Sequence, residues 1–276
     1  VSSVLSELIR TAFIPKPGYK FVVSDFCQIE ARVLAWYANE EWRLKLFEDG
    51  GDIYCQSASQ MFHIPVEKNG VNANYRKTGK IAELACGYGG SVGALKAFGA
   101  IQLGLTEAEL PEIITRWRQA NPKIVKFWWD IDRAAKYVIK NKTSYSCYGL
   151  TFSYERGIMF IKLPSGRRLA YCKPKIGLSN FGSECIKYEG IGTSKKWDVI
   201  ESYGPKIVEN IVQATARDIL VEAMQRLDKL GYKIVMHVHD EAVIETKDSN
   251  KDEICKIMAT NPEWCKTLPL DADGYE

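Results

Sequence analysis

Histidine is scarce in this chain: three residues among 276, at positions 63, 237 and 239. Zinc chemistry built on imidazole clusters usually recruits more of them, so little material exists for it here. The eight cysteines, at 27, 55, 86, 147, 172, 185, 255 and 265, never stand in a C-x-x-C pair. They read as reduced, mostly buried thiols of a cytosolic protein. No run approaches the ~20 apolar residues of a membrane-crossing helix, so no membrane partner is expected, and VSSVLSELIR at the start does not follow a signal-peptide plan. Neither sign of charge dominates: Lys+Arg number 37 and Asp+Glu 34, a balance of +3 that permits a nucleic-acid partner without demanding one. No repeat or low-complexity tract is visible. The chain runs from Val1 to DADGYE without a tail and reads as a piece of something longer.

What is present is ordinary globular material, 46% hydrophobic and 26% charged, enough for one large domain or two modest ones. FIPKPGYKFVVSDF reads as a Pro-Gly turn and a short strand, Lys20 to Ser24, that delivers Asp25 at its end. A helical pattern, IEARVLAWYANEEWRLKLFEDGGD, then runs to the Gly50-Gly51 pair. Asn72 and Asn74 can cap a further helix through YRKTGKIAELACGYGG. Thr106-Glu-Ala-Glu109 is a capping box opening TEAELPEIITRWRQA, and KIVKFWWDIDRAAKYVIKN follows the Asn121-Pro122 break. From about Thr143 to Lys196 the texture turns to short β-prone runs with a hairpin-like turn at Pro164 to Gly166. Pro205 and Gly231 bracket the clearest helix, on which Glu209, Gln213 and Arg217 lie four apart on one face. KIVMHVHDEAVIE then reads as a hairpin with its turn at His239-Asp240, strands Lys233 to Val238 and Glu241 to Thr246.

Three places carry polar groups in arrangements that chemistry could use. Asp240 at a hairpin turn can stay ionised and project toward a divalent cation, or it can simply be a turn residue. His237 and His239 on one strand face would allow a His-x-His-x-Asp zinc site, with only His63 left to complete it. Asp25 at a strand end is either a site carboxylate or a helix N-cap. If the two strands are neighbours, Asp25 and Asp240 could hold two Mg²⁺ ions about 3.5 to 4 Å apart, the spacing that clamps attacking and leaving oxygens in phosphoryl transfer. Arg76, Lys80, Leu84 and Tyr88 recur every four residues, a slowly turning stripe about 18 Å long. Its two cations can grip adjacent phosphates while Tyr88 offers a ring to a base, although a solvated basic face with Leu84 and Tyr88 in the core would read the same way.

In this order, the three places resemble the three motifs of the family A DNA polymerases, the bacterial DNA polymerase I type. Asp25-Phe-Cys-Gln-Ile-Glu-Ala-Arg32 is similar to D-Y-S-Q-I-E-L-R, Arg76-x3-Lys80-x7-Tyr88-Gly89 to R-x3-K-x7-Y-G, and Val238-His-Asp-Glu241 to V-H-D-E. Gln213-Ala-Thr-Ala-Arg-Asp218 resembles the helix Q-G-T-A-A-D. LIRTAFIPKPGYKFVVSDF and EARVLAWYANEEW resemble in particular the compact polymerases of bacteriophages and prophages, which implies work in the cytoplasm of a bacterial host. The likeness covers nearly the whole chain, with Lys140 to Trp197 matching only loosely.

The resemblance implies an α+β fold: a polymerase palm, an antiparallel sheet with packed helices, and largely helical fingers carrying a β-rich insertion. The palm would take residues 1–35 and 200–276. The fingers would take 36–199, with the nucleotide-binding helix at about 72–88 and the β-rich excursion at about 143–196. The implied activity is addition of deoxynucleotides to a primer 3′-hydroxyl, with pyrophosphate release. Asp25 and Asp240 would carry two Mg²⁺ ions, with Mn²⁺ as a substitute and Glu241 a weaker ligand or a contact near the primer end. Arg76 and Lys80 would hold the triphosphate, Lys80 also being a candidate proton donor to the leaving group. Tyr88 would sit beneath the templating pair, Glu30 against C2′ of the incoming sugar, and Gln28 and Leu84 at the same nucleotide. Gln213, His239 and Arg217 would touch the primer-template, and Arg32 would support the site from behind.

Departures from the family pattern carry weight. Leu84 replaces an aromatic that senses the sugar 3′ position, Glu209 replaces a neutral amide near the expected DNA, and Phe26 and Cys27 replace Tyr and Ser. The thumb, a primer-contacting arginine and any proofreading exonuclease are expected outside these residues, and replication accessory proteins are not identifiable. Two other readings stand beside this one: a fragment that binds nucleotide or primer-template without extending it, and a zinc hydrolase using His237, His239 and Asp240.

Overall fold

The computed structural model describes residues 8–192, 194–248 and 250–276. Its strands in chain order are β1 (Lys20–Phe26), β2 (Ser144–Cys147), β3 (Leu150–Glu155), β4 (Ile158–Lys162), β5 (Arg168–Leu178), β6 (Glu184–Ile191), β7 (Trp197–Ser202), β8 (Lys233–Val238), β9 (Glu241–Thr246) and β10 (Ala272–Tyr275). The helices are α1 (Ile29–Ala38), α2 (Glu41–Glu48), α3 (Ile53–Phe62), α4 (Arg76–Cys86), α5 (Val92–Ala97), α6 (Leu110–Ala120), α7 (Pro122–Asn141), α8 (Gly204–Lys229) and α9 (Lys251–Met258). No helix among the described residues is long and apolar enough to cross a membrane. The eight cysteines are all free, five of them buried. The fold is α+β, with two antiparallel sheets and packed helices.

The chain divides into two compact units. The first comprises Val1–Ile29, Arg217–Pro262 and Leu270–Glu276. Its sheet runs β10-β1-β9-β8, every neighbour antiparallel. β9 is central, and Glu241 through Glu245 are all buried, so its period-2 alternation gives way to a continuous run. Near the far end of β9 the buried Glu245 is satisfied: it accepts the Lys16 amide at 3.2 Å and Lys233 Nζ at 2.9 Å. α9 covers the sheet, and its Cys255 sulfur accepts a hydrogen bond from Ser24 at 3.2 Å.

The second unit comprises Glu30–Ala216 and Glu263–Pro269. Ala35, Phe47 and Ile53 form a buried cluster with Ala31 and Trp42 packed on it. The helical pattern from Ile29 to Asp49 is two helices rather than one. Asn39 takes a left-handed conformation, φ 52°, and closes α1. That break turns Glu40 toward α7, where its Oε2 accepts the Lys123 and Ile124 amides at 2.9 and 3.2 Å and caps the helix. Similarly, Glu109 Oε2 accepts both the amide (2.7 Å) and the hydroxyl (2.6 Å) of Thr106. The threonine hydroxyl therefore gives its hydrogen to Glu109, residues 107–109 form a turn, and α6 starts only at Leu110.

The β-rich excursion is a six-stranded meander, β2-β3-β4-β5-β6-β7. It extends past the expected limit at Lys196, because β7 pairs with β6 out to Ser202. Phe152, Met159 and Ile161 are fully buried on one face. α7 lies against β2 to β5.

Candidate active site

In the first unit, the antiparallel register sets Asp25 of β1 directly opposite Glu241 of β9. One residue before Glu241, Asp240 sits in the β8–β9 turn, and its carbonyl oxygen accepts the Phe26 amide at 3.3 Å. The carboxyl group of Asp240 lies close enough to that of Asp25 to act on its proton equilibrium. Loss of water around Asp25 comes first, and the negative charges of Asp240 and then Glu241 add to it. Together they push the Asp25 carboxyl from 3.8 up to about 7. The side chain still reaches solvent on its open side. Two carboxylates held this close repel unless a proton or a cation sits between them, which is the chemistry of a divalent-metal donor set.

Two residues close in sequence to the acidic pair hold a left-handed backbone conformation. Gln28, φ 54°, turns the chain from β1 into α1, and His239, φ 51°, is the first residue of the two-residue hairpin turn. Both are non-glycine residues in a region that L side chains rarely occupy. Gln28 Oε1 is withdrawn from water and meets no donor among the described residues.

His239 therefore stands outside the strand alternation, so the expectation that His237 and His239 share a strand face does not hold. His237 instead faces Arg217 of α8, whose Nη1 and Nη2 lie 3.2 and 3.4 Å from Nδ1 and Nε2. Among the described residues, no group of three or more His, Cys, Asp or Glu side chains gathers into a metal cage.

In the second unit, the stripe Arg76, Lys80, Leu84 lies on the outer side of α4, while Thr78, Gly79, Ala82, Glu83, Ala85 and Cys86 face inward. Leu84 is 39% exposed rather than in the core. Tyr88 lies past the last residue of α4. Gly89, φ 72°, donates to Cys86 and Gly90 donates to Ala85, both at 3.0 Å, the paired bonds of a Schellman cap with Tyr88 just before its glycine. The Tyr88 side chain packs inward and donates its hydroxyl hydrogen to Glu30 Oε2 at 2.6 Å. Burial, and then the charge of Glu30, hold the phenol well above its ordinary value of 10, so it remains a neutral donor.

Gln213 is exposed on α8, and Glu209 on the same helix is paired with Lys206 at 2.8 Å, which offsets the charge where an amide is usual. Arg32 is buried, with Nη1 on the Pro269 carbonyl at 2.8 Å and its guanidinium 4.6 Å from the Phe47 ring centre.

Three residues behind the stripe, Asp52, Tyr54 and Glu83, are not among the candidates that the sequence offers. Arg76 is paired with Asp52 and lies over Tyr54. Deeper in, Glu83 accepts two bonds from Arg43, at 2.7 and 2.8 Å, one from Trp117 Nε1 at 2.7 Å and one from Ser57. The signals were faint: an aspartate after Gly-Gly for the first, a lone glutamate on the inner face of a helix for the last.

The sequence profile of DNA polymerase family A matches residues 1–148. A DNA polymerase of Bacillus phage SP02 is 54% identical over 280 residues, covering 100% of this chain and 43% of that protein. The thermostable DNA polymerase I of Thermus aquaticus is 27% identical over 279 residues, covering 99% of this chain and 28% of that protein. Among solved structures, the POL domain of Pol1 from M. smegmatis, in complex with DNA primer-template and dNTP, superposes with a TM-score of 0.62 at 20% identity. The match covers 96% of this chain and 41% of that one. The chain thus spans less than half the length of these relatives.

Proposed function

The chain belongs to DNA polymerase family A, and from that premise we propose that it is the catalytic portion of a template-directed DNA polymerase. It would add deoxynucleotides to a primer 3′-hydroxyl and release pyrophosphate. The observation that carries this reading is the Asp25–Asp240 carboxyl pair, with Glu241 opposite Asp25 across the ladder. Asp25 and Asp240 would hold two Mg²⁺ ions, or Mn²⁺ in their place, and Glu241 would be the weaker third group. When bound, such cations supply activation of the attacking hydroxyl and neutralisation of the departing pyrophosphate.

The remaining roles fall to the chain's own side chains. Arg76 and Lys80, one helical turn apart, would bind the triphosphate, and Lys80 would offer a proton to the leaving oxygen. Glu30, fixed by Tyr88, would present a carboxylate to C2′ of the sugar and exclude a ribose hydroxyl, with Gln28 and Leu84 at the same nucleotide. Tyr88 would lie beneath the templating pair. Gln213, Arg217 and His239 would meet the primer-template, and Arg32 would hold the support behind the site. In this reading residues 1–35 and 200–276 form the palm and 36–199 the fingers.

A second reading, a fragment that binds nucleotide or primer-template without extending it, is favoured by the chain's 43% coverage of its phage relative. Primer extension separates the two. The assay would compare the chain alone with the chain fused to the amino-terminal portion of the SP02 polymerase. Mg²⁺-dependent extension by the fusion, abolished by Asp240→Ala, is expected. Duplex binding by the fusion without any incorporation would leave the binding reading in its place.

A further inference from the structure

Asp52 divides its two carboxylate oxygens between two tasks. Oδ1 accepts the amides of Tyr54 and Cys55 at 2.8 and 3.1 Å and caps α3. Oδ2 accepts Arg76 Nε at 2.8 Å and lies 2.7 Å from Nη2. Both side chains are mostly withdrawn from water, at 28% exposure for Arg76 and 18% for Asp52. The guanidinium lies over the Tyr54 ring, 5.1 Å from its centre, and Lys80 Nζ is 5.9 Å from the same ring. α3 and α4 approach this closely because residue 79 has no side chain. A Cβ on Gly79 would stand 1.9 Å from the Tyr54 carbonyl oxygen.

We propose that Asp52 is a positioning residue for the nucleotide site. It holds the side edge of the Arg76 guanidinium so that the other edge is presented, already oriented, to a triphosphate. The inference rests on the reading of Arg76 and Lys80 as triphosphate ligands and adds the residue that organises them. A guanidinium has two edges able to meet an oxyanion in bidentate fashion. The Nε and Nη2 edge is taken by Asp52, and Nη1 with the second Nη2 hydrogen is outside that pair. Tyr54 beneath the plane restricts its tilt.

An arginine so fixed gives up little rotamer freedom when phosphate arrives, whereas a free one loses it on binding. An acidic residue beside a triphosphate would ordinarily repel it. Here the negative charge is spread over two cap amides at a helix N-terminus and a guanidinium, so its field outside the pair is small.

Titration calorimetry of dATP with Mg²⁺ into the 276-residue chain tests this. Asparagine caps a helix about as well as aspartate. In Asp52→Asn, however, the single amide oxygen serves the cap, and the NH₂ group is then left facing another donor. Asp52→Asn is expected to raise the dATP Kd about tenfold, and to change it less than about twofold when added to Arg76→Ala, because the two act as one unit. Asp52→Ala should raise Kd similarly and also lower Tm through the lost cap.

If Arg76→Ala weakens binding while Asp52→Asn leaves Kd at or below that of the wild type, Asp52 is only a cap and the proposal is overturned. If Arg76→Ala leaves Kd unchanged, or the unaltered chain binds no dATP, the reading of Arg76 fails first and this inference with it.

Discussion

Tyr88 and Glu30 are joined by a 2.6 Å hydrogen bond in which the phenol, held neutral by burial, is the donor and the carboxylate the acceptor. The bond fixes one oxygen of Glu30, so its carboxyl cannot swing aside. If Glu30 is the group that meets C2′ of the sugar, Glu30→Ala should raise the ratio of ribonucleotide to deoxynucleotide incorporation on the order of 100-fold, at the upper end of steric discrimination by a pocket. Tyr88→Phe keeps the carboxylate and removes only its tether, and a rise of about tenfold or less is expected. Competitive primer extension with paired rNTP and dNTP reads both. Unchanged selectivity in Glu30→Ala would remove Glu30 from the sugar gate.

Asp25 makes stability depend on pH in a stated direction. Its folded value, about 7, lies above the ordinary 3.8. Between those values the native state holds more protons than the unfolded chain, so metal-free stability declines as pH rises from 3.8 to about 7 and is level above that. Asp25→Asn carries no such penalty. Because the side chain is half open to water, the gain is discounted to on the order of 1 kcal/mol. Urea unfolding in chelator should find the variant more stable than the wild type at pH 8 and equal to it at pH 3. Millimolar Mg²⁺ at pH 8 should then stabilise the wild type and leave the variant unmoved. Equal stabilities at pH 8 would contradict the raised value.

The parts of this molecule that were readable beforehand are those written locally. The β8–β9 hairpin has both strands and its turn where alternation and the His239-Asp240 pair put them, and α8 starts at Gly204, one residue before the expected Pro205, and ends at Lys229, short of Gly231. The Arg76-Lys80-Leu84 stripe follows from helical period alone, whereas its outward face, with Leu84 outside the core, does not. What escaped depends on partners far along the chain. Asn39 is of a type that can end a helix in a left-handed conformation, but the capping of a helix 83 residues on by Glu40 leaves no trace near it. The Asp52–Arg76 and Arg43–Glu83 pairs span 24 and 40 residues and leave no periodic trace. His237 and His239 misled because a two-residue period holds only within a strand, and the strand ends at Val238.

His239 holds a left-handed conformation without the freedom of glycine, φ 51°. Such a residue costs on the order of 1 kcal/mol, a strain that function can retain. His239→Gly should therefore raise stability by up to ~1 kcal/mol, read as a higher urea midpoint with unchanged m-value. If the imidazole meets the primer-template, the same variant should extend primers several-fold more slowly, with dNTP KM little changed. A variant that is more stable and fully active would show the histidine to be a turn residue only.

Glu83 supports the stripe from beneath. It is 7% exposed and accepts bonds from Arg43, Trp117 and Ser57, while Arg43 is fully buried, gives its Nε to Asn121 at 2.5 Å and lies 5.1 Å from the Trp42 and Trp117 ring centres. The network ties α2, α3, α4 and α6 together at one point. Removing one partner leaves the other charge buried and unpaired, so Glu83→Ala should cost about 3 to 5 kcal/mol. Replacing both, Arg43→Met with Glu83→Leu, removes the charge along with its partner and should recover much of that loss, read as urea midpoints across the double-mutant cycle. A double variant no more stable than Glu83→Ala would mean that the hydrogen bonds to Asn121, Trp117 and Ser57, rather than the ion pair, hold these helices in register.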